Sequence, residues 1–418
     1  MPVRVIHIKL LFWAAMGLIT LSSYSCSEPA SQYGLTEITL EALDASCTEV
    51  WLELKFNNLT QLANVAIQKD GKDYHRILSL NRDTLLVFED LEPSTNNSFR
   101  AIIRYDGNDD KISNTAEVRT MDTTSHNFTW ETFTFGEVGS SSLYDVAIID
   151  ENNICAVGEI YMKDSLGNPD PNAYNAVHWD GSRWELRRIP FYYNGHPIFV
   201  VIRAIFAFNA NDIWFGGGVR WDGVTFKHVP MNISFPSYVN KIWGSSSGNI
   251  YIVGNSGNIA HYNGTSWKKI ESGTTLHIND VWGDYNTMSK KWEIHCVGSN
   301  QFIDEGRTLL SIEENKATPI NDSGLSWALN SIWFKTRRKY IIGGDGLYIS
   351  ASTSEVWKRD ISQPPYYKTA VRANGLNDIF VVGAFGLILH YNGSTWHSYL
   401  PETYLNNGAY GRVAVKTI

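Results

Sequence analysis

Three histidines in this sequence have nearly the same surroundings: His178 in AVHWDG, His261 in IAHYNG and His390 in LILHYNG. Matched imidazoles are what a bound transition metal would ask for, provided they converge on one point. Two carboxylates also recur at matched places, Asp145 in LYDVAII and Asp280 in INDVWGDY. Paired carboxylates are the apparatus of acid–base chemistry on glycosidic bonds. The stretch DSLGNPDPN gathers Asp164, Asn168, Asp170 and Asn172, close enough in sequence to offer oxygens to Ca²⁺. Its glycine and prolines do not fall where an EF-hand loop needs them, so a solvated loop is the competing reading.

What such groups can do depends on the elements that carry them, and these elements repeat. The clearest copy reads VNKIWGSSS, NIYIVGN, GNIAHYNG and TSWKKIES over residues 239–272. Named A to D, the four phrases return from residue 143 to the end of the chain. The A phrase recurs as LYDVAII, VIRAIFAF, INDVWGDY, LNSIWFKT, TAVRANG and YGRVAVKTI. The B phrase ends on Gly158, Gly216, Gly254, Gly298, Gly343 and Gly383, at spacings of 58, 38, 44, 45 and 40 residues. The C phrase turns into D at Asp180-Gly181, Asp222-Gly223, Asn263-Gly264 and Asn392-Gly393, dipeptides suited to tight hairpins. The D phrase carries Trp184, Phe226, Trp267, Trp357 and Trp396.

Four short strands every ~40–45 residues is the period of a β-propeller blade. The repeats resemble those of bacterial propellers of the WD and photosystem-assembly type, several families of which are surface lipoproteins. That likeness implies fold rather than activity. Six blades are complete, at 143–189, 200–230, 239–272, 278–322, 329–361 and 369–401. YGRVAVKTI would open a seventh, and TWETFTFG at 129–136 has D-strand character that could help close the ring. The expected propeller therefore spans 129–418, seven-fold with an incomplete last blade, a six-fold ring being the alternative. An open last blade would offer an unpaired edge; otherwise a monomer is expected.

On this scaffold the histidines separate. They belong to blades one, three and six, and C strands do not line the channel, so they read as repeat residues rather than a metal site. The C–D corner loosely resembles the Asp-box of sialidase-type propellers, which is structural even in enzymes. RRIP at 187–190 resembles a sialidase Arg-Ile-Pro string, but the further arginines and Tyr–Glu pair of that family cannot be assembled here. Strand A is more informative. Just before its central residue stand Asp145, Ala204, Lys241, Asp280, Ser331, Ala370 and Arg412, a ring of mixed sign near one mouth of the channel. Lys241 with Asp280, and Arg412 with Asp145, are expected to form ion pairs between adjacent blades. The D–A and B–C loops of that face are aromatic. Tyr192, Tyr193, Phe235, Tyr238, Tyr366, Tyr367 and Tyr404 are expected to ring it, exposed for stacking or docking unless they pack on neighbouring blades.

Residues 35–123 read as about seven short strands, suiting a β-sandwich. LEPSTNNSFRAIIRYDG resembles the strand E to strand F step of a fibronectin type III domain, with Trp51 where that family has a core tryptophan. The likeness implies a spacer or binding module. Ahead of it, Arg4 and Lys9 precede LLFWAAMGLITL, an apolar run too short to span a bilayer, and then SSYSC. Residues 1–26 resemble a bacterial lipoprotein signal with Cys26 as the lipidated residue, although Ser23 and Tyr24 depart from a strict lipobox; residues 27–34 would be a linker. An ordinary secretory signal cleaved nearby is the alternative.

Net charge of −8 with no basic block excludes a nucleic-acid partner. Cys47, Cys155 and Cys296 are too few for a disulfide framework, and Cys155 and Cys296 lie in apolar strands where a thiol packs as a small hydrophobe. The sequence thus describes an all-β, exported, lipid-anchored protein of the outer membrane or cell surface, or a secreted or periplasmic one. Its propeller is expected to bind a protein or a glycan without cofactor, metal or catalysis. The rivals are a glycan-processing hydrolase or lyase and a structural module of envelope assembly.

Overall fold

The structure, a computed structural model, describes residues 3–6, 37–59, 62–104, 110–231, 233–235, 238–300, 303, 306–313 and 315–403. Residues 7–36, with Cys26, the apolar run of the expected leader and the linker at 27–34, lie outside them, as do Tyr404, Arg412 and the phrase YGRVAVKTI; residues 3–6, within the expected leader, form a strand. The chain divides into two compact units, Met1–Thr124 and Ser125–Ile418. No helix among the described residues is long and apolar enough to cross a membrane.

The first unit is built from β1 (Val3–Ile6), β2 (Glu37–Ala45), β3 (Val50–Asn57), β4 (Ala63–Lys69), β5 (Lys72–Leu80), β6 (Thr84–Phe88), β7 (Asn96–Ile103), β8 (Lys111–Ile112) and β9 (Ala116–Arg119). One sheet runs β1-β6-β3-β2; the other runs β5-β4-β7-β8, with β9 also pairing β7. Alternation along each strand sends one face inward. Val50, Leu52 and Leu54 of β3 meet Val65 and Ile67 of β4 and Phe99 and Ala101 of β7 in one buried core. That alternation corrects the reading of Trp51. It is 1% exposed, yet it lies between Val50 and Leu52 and so faces away from this core.

Among the described residues the second unit contains six four-stranded antiparallel sheets, each with its strands in chain order. The A strands are Ser142–Asp150, Ile205–Asn209, Val239–Ser246, Ile278–Asn286, Leu329–Lys335 and Lys368–Gly375, and each lies against the A strand of the next sheet. These sheets are the blades. The D strands run from Trp184–Arg187 in blade one to Trp396–Ser398 in blade six. The recurring B-strand glycine has a steric cause. A Cβ at Gly158 would stand 2.0 Å from the Ser142 carbonyl oxygen, and at Gly383 2.1 Å from that of Tyr367. There the chain entering strand A passes too close for any side chain; in blade five the same approach falls on Gly344, where a Cβ would stand 1.8 Å from the Ala328 carbonyl oxygen, rather than on Gly343, and at Gly216 nothing comes nearer than 3.2 Å. At the C–D corners Gly181, Gly223, Gly264 and Gly393 have φ of 94°, 91°, 91° and 97°. The preceding Asp or Asn accepts the next two backbone amides, as at Asn392, whose Oδ1 takes Ser394 N at 3.0 Å and Thr395 N at 2.8 Å.

Blade-to-blade joints bury aliphatic and aromatic side chains. Val253 and Ile259 of blade three, for example, share a core with Val281, Cys296 and Leu310 of blade four. Cys47, Cys155 and Cys296 are buried and form no disulfide with one another, and burial pushes the Cys155 thiol up to about 12.

Residues 129–136 do not form the expected D strand. They belong to an extended strap that runs from blade six to blade one. At its start His126 and Phe128 lie on His390, Phe380 and Tyr399 of blade six; at its end Phe133 and Phe135 lie on Trp184 of blade one. His126 Nδ1 is 2.9 Å from His390 Nδ1, and the Tyr399 hydroxyl donates to the His126 carbonyl at 2.5 Å. The strap has aromatic residues at a strand-like spacing but pairs with no strand among the described residues.

Candidate functional site at the mouth of the channel

The three repeat histidines each turn toward the first side chains of their own B strand. His178 Nε2 is 2.9 Å from Asn153 Oδ1, His261 Nε2 2.7 Å from Asn249 Oδ1, and His390 Nε2 2.9 Å from Asp378 Oδ1. They sit in three separate sheets and meet nowhere. The loop at 164–172 directs its carboxylates inward on itself. Asp164 Oδ1 accepts Leu166 N and Asn168 N, each at 2.9 Å, and Asp170 Oδ2 accepts Arg188 Nη2 at 2.6 Å. Among the described residues no three His, Cys, Asp or Glu side chains gather as a metal would require.

What the fold does bring together is strand A of the blades, and in every blade but the second that strand carries a bulge. Pairing with strand B shifts register between Leu143 and Asp145, Val239 and Lys241, Ile278 and Asp280, Leu329 and Ser331, and Lys368 and Ala370. A bulge leaves one residue unpaired and re-aims its side chain. The bulged residues here are Tyr144, Asn240, Asn279, Asn330 and Thr369. The three asparagines all reach forward by one blade: Asn240 Nδ2 donates to Ile278 O at 3.0 Å, Asn279 Nδ2 to Leu329 O at 2.8 Å, and Asn330 Nδ2 to Lys368 O at 2.9 Å. The sequence reading passed over this ladder, although its signal, Asn in VNKIW, INDVW and LNSIW, stands in the A phrase.

The next residue along also grips the following blade. Asp145 Oδ2 accepts Ile205 N, Asp280 Oδ2 accepts Ile332 N, and Ser331 Oγ accepts Val371 N, all at 3.0 Å. Lys241 and Asp280 do not form the expected direct pair, and the expected pair of Arg412 with Asp145 lies outside the described residues. Lys241 Nζ donates to Asp145 Oδ1 at 2.6 Å, and Arg372 binds Asp280 through two nitrogens at 2.9 and 2.8 Å. Each pair skips a blade. Near the axis the side chains of alternate blades are within reach, and the skipped blades carry only Ala204 and Ser331. Asp280 and Arg372 are 3% and 9% exposed. Burial works to raise the Asp280 carboxyl, but Arg372 outweighs it and holds it below the usual range. Burial draws the Lys241 ammonium below its ordinary value, against the pull of Asp145.

Above these pairs opens a cavity of about 650 Å³, walled by A strands and by D–A and B–C loops. Tyr144, Arg203, Asn240, His277, Asn279 and Asn330 contribute to its wall. The expected aromatic ring around this face is broken. Tyr192, Tyr193 and Tyr238 are 49%, 66% and 52% exposed, the first two on a projecting hairpin of Phe191–Tyr193 and His196–Ile198. Phe235 packs on the core between blades two and three, Tyr366 on Phe385 at 5.3 Å, and Tyr367 on Trp327 at 6.2 Å. Tyr404 is outside the described residues.

No protein-family model matches the chain, and no curated protein matches it. Among solved structures, "YCF48 bound to D1 peptide" is similar at 17% identity and a TM-score of 0.44, over 62% of this chain and 81% of that one. A computationally designed protein, Ika8, is similar at 12% identity and a TM-score of 0.40, over 90% of this chain and 98% of that one. The chain is an all-β protein with a six-sheet propeller array, a fold that rests on its own sheets.

Proposed function

We propose that this protein is a binding module whose propeller receives a ligand at the channel mouth and performs no chemistry on it. One observation carries the reading. Asp145 and Asp280, the carboxylates that line the cavity, are each held by a cation and by a backbone amide of the next blade. A general base needs a free lone pair and a general acid a loosely held proton; here both are committed to the ring. The cavity is concave and polar, with acceptors and donors from several blades, as recognition sites are. Arrays of glycans and peptides probed with the full chain should find a ligand. Turnover of any bound glycan would overturn the non-catalytic reading.

We further propose that the protein is exported and anchored by lipid at Cys26, with the first unit as a fibronectin-like spacer. The charged start, the short apolar run and SSYSC support the anchor. The facing orders β2-β3-β6 and β5-β4-β7-β9 support the spacer, and the outward Trp51 is a departure from it. Cys26→Ala should abolish incorporation of labelled palmitate and leave the protein in the soluble fraction.

A further inference from the structure

We infer that Arg203 makes the channel-mouth cavity a site for an acidic sugar, with its guanidinium as the seat of the sugar carboxylate; this rests on the binding reading above. Among the described residues the charges of the wall do not cancel. Arg203, Lys241 and Arg372 face Asp145 and Asp280, and two of the cations are already paired. The surplus positive charge belongs to Arg203. Among the described residues it has no acidic partner and donates no hydrogen bond, and its Nε is buried with no acceptor. It is held in place all the same. Its Cζ lies 4.1 Å from the centre of the Tyr238 ring and 5.0 Å from that of Tyr144.

A guanidinium fixed between aromatic faces keeps its planar fork of donors. Leaving such donors unsatisfied and partly desolvated is costly, so an orphan of this kind asks for an explanation. A carboxylate is the group its geometry fits, through two parallel N–H···O bonds.

The rest of the wall describes the remainder of the ligand. Asn240 and Asn279 spend their amide nitrogens on the blade ladder, so each carbonyl Oδ1 is left to accept. His277 Nδ1 accepts Ser256 N at 3.2 Å, which leaves Nε2–H to donate. Ile303 and Ala370 are the aliphatic residues in the wall. A peptide would need apolar pockets for its side chains, whereas a ring of hydroxyls needs this mixture of acceptors and donors. About 650 Å³ is ample for one or two sugar rings.

The test is binding of the full chain to uronate- and sialate-bearing glycans, to the same glycans with the carboxyl reduced to CH₂OH, and to peptides ending in a free or an amidated carboxyl. An acidic glycan should bind, and reduction should weaken it about tenfold or more. Arg203→Gln should remove that preference, weakening the acidic glycan far more than the reduced one, and Arg203→Lys should restore part of it. Thermal melts of each variant without ligand separate a folding defect from loss of the contact; a shifted melting point with the preference intact would overturn the assignment. Equal binding of acidic and reduced glycans would overturn the role of Arg203 and leave the binding reading standing. Binding confined to the free-carboxyl peptides would overturn the sugar. Silence across every glycan and peptide would overturn both.

Discussion

The joint between blades three and four and the joint at which the chain closes on blade six use the same kind of histidine differently. In blade three, His261 points its free nitrogen at Asn315 of blade four, 2.6 Å away. In blade six, His390 points the matching nitrogen at His126 of the strap. Among the described residues an extended segment therefore meets blade six where another joint has a whole sheet. The interior joint is a sheet face on a sheet face, sealed by the asparagine ladder and by core residues such as Val281 and Cys296, neither of which is accessible to solvent. The strap joint is aromatic and wet, with Phe128, Trp130 and Phe133 at 38%, 47% and 42% exposed. Where sheet meets sheet, a lost side chain leaves a void or an orphaned charge. Under the strap, water can fill the gap.

The sharpest way to break this contrast is at the buried ion pairs. Arg372→Ala strands Asp280 without its cation and should cost about 3–5 kcal/mol by urea unfolding. Lys241→Ala should cost less, because Lys241 is 17% exposed and water can reach the abandoned Asp145. Equal losses would mean the two halves of the ring are equally dry.

Lys368 offers an effect of opposite sign. It opens strand A of blade six where other blades place Val, Ile or Leu, is 2% exposed, and donates to Pro364 O at 2.6 Å. Burial lowers its pKa from 10.5 to about 8. Between those values the unfolded chain binds more protons, so stability rises with pH across that window and the full penalty is present below it. The difference, 10.5 − 8 = 2.5, sets a ceiling of about 3 kcal/mol. After loss of the Pro364 bond, Lys368→Met should stabilise the fold at pH 7 by about 2 kcal/mol. An unchanged or lowered melting point would show that the ammonium is better served there than its burial implies.

Two further substitutions compare the joints directly. Asn279→Ala removes a rung of the ladder and leaves Leu329 O without that donor, at a cost of about 1–3 kcal/mol; His126→Ala should cost about 1 kcal/mol or less. If the two cost the same, the strap is as firm as a blade.

The smallest effect is in pH. Burial, then His390 and His397, keep His126 below its ordinary pKa. The folded chain thus holds fewer protons than the unfolded one just below pH 6.5, and stability falls as pH drops through that range. His126→Asn should flatten the fall between pH 7 and pH 5 without abolishing it, because burial also lowers His178 and His261. An unchanged slope would detach the strap from the acid response.

Much of this was legible in the sequence, for physical reasons that also mark where it stops. Period, strand order and corner turns show because each blade repeats one steric problem, as the B-strand glycine does. The ring of Asp145, Lys241 and Asp280 was legible as positions, but partners were assigned to adjacent blades. Sequence gives order around the axis, not the short distance across it, and the smallness of Ala204 is what lets Lys241 reach Asp145. For the aromatic loop residues the sequence left exposure and packing both open, and no local pattern discloses that Tyr366 and Tyr367 are the ones with packing partners. Arg203 stands where blades three to five carry Asn, a break in the repeat that could have been noticed.

The strap has a mechanical consequence. A pull on the chain from the side of the first unit reaches Ser125 and then His126 before it reaches any blade. The strap's contacts lie one after another along its length, from His390 to Trp184, so the load falls on them in sequence, as on a zip, and not on all at once. The closure would yield in small steps while the sheets, loaded later, keep their register.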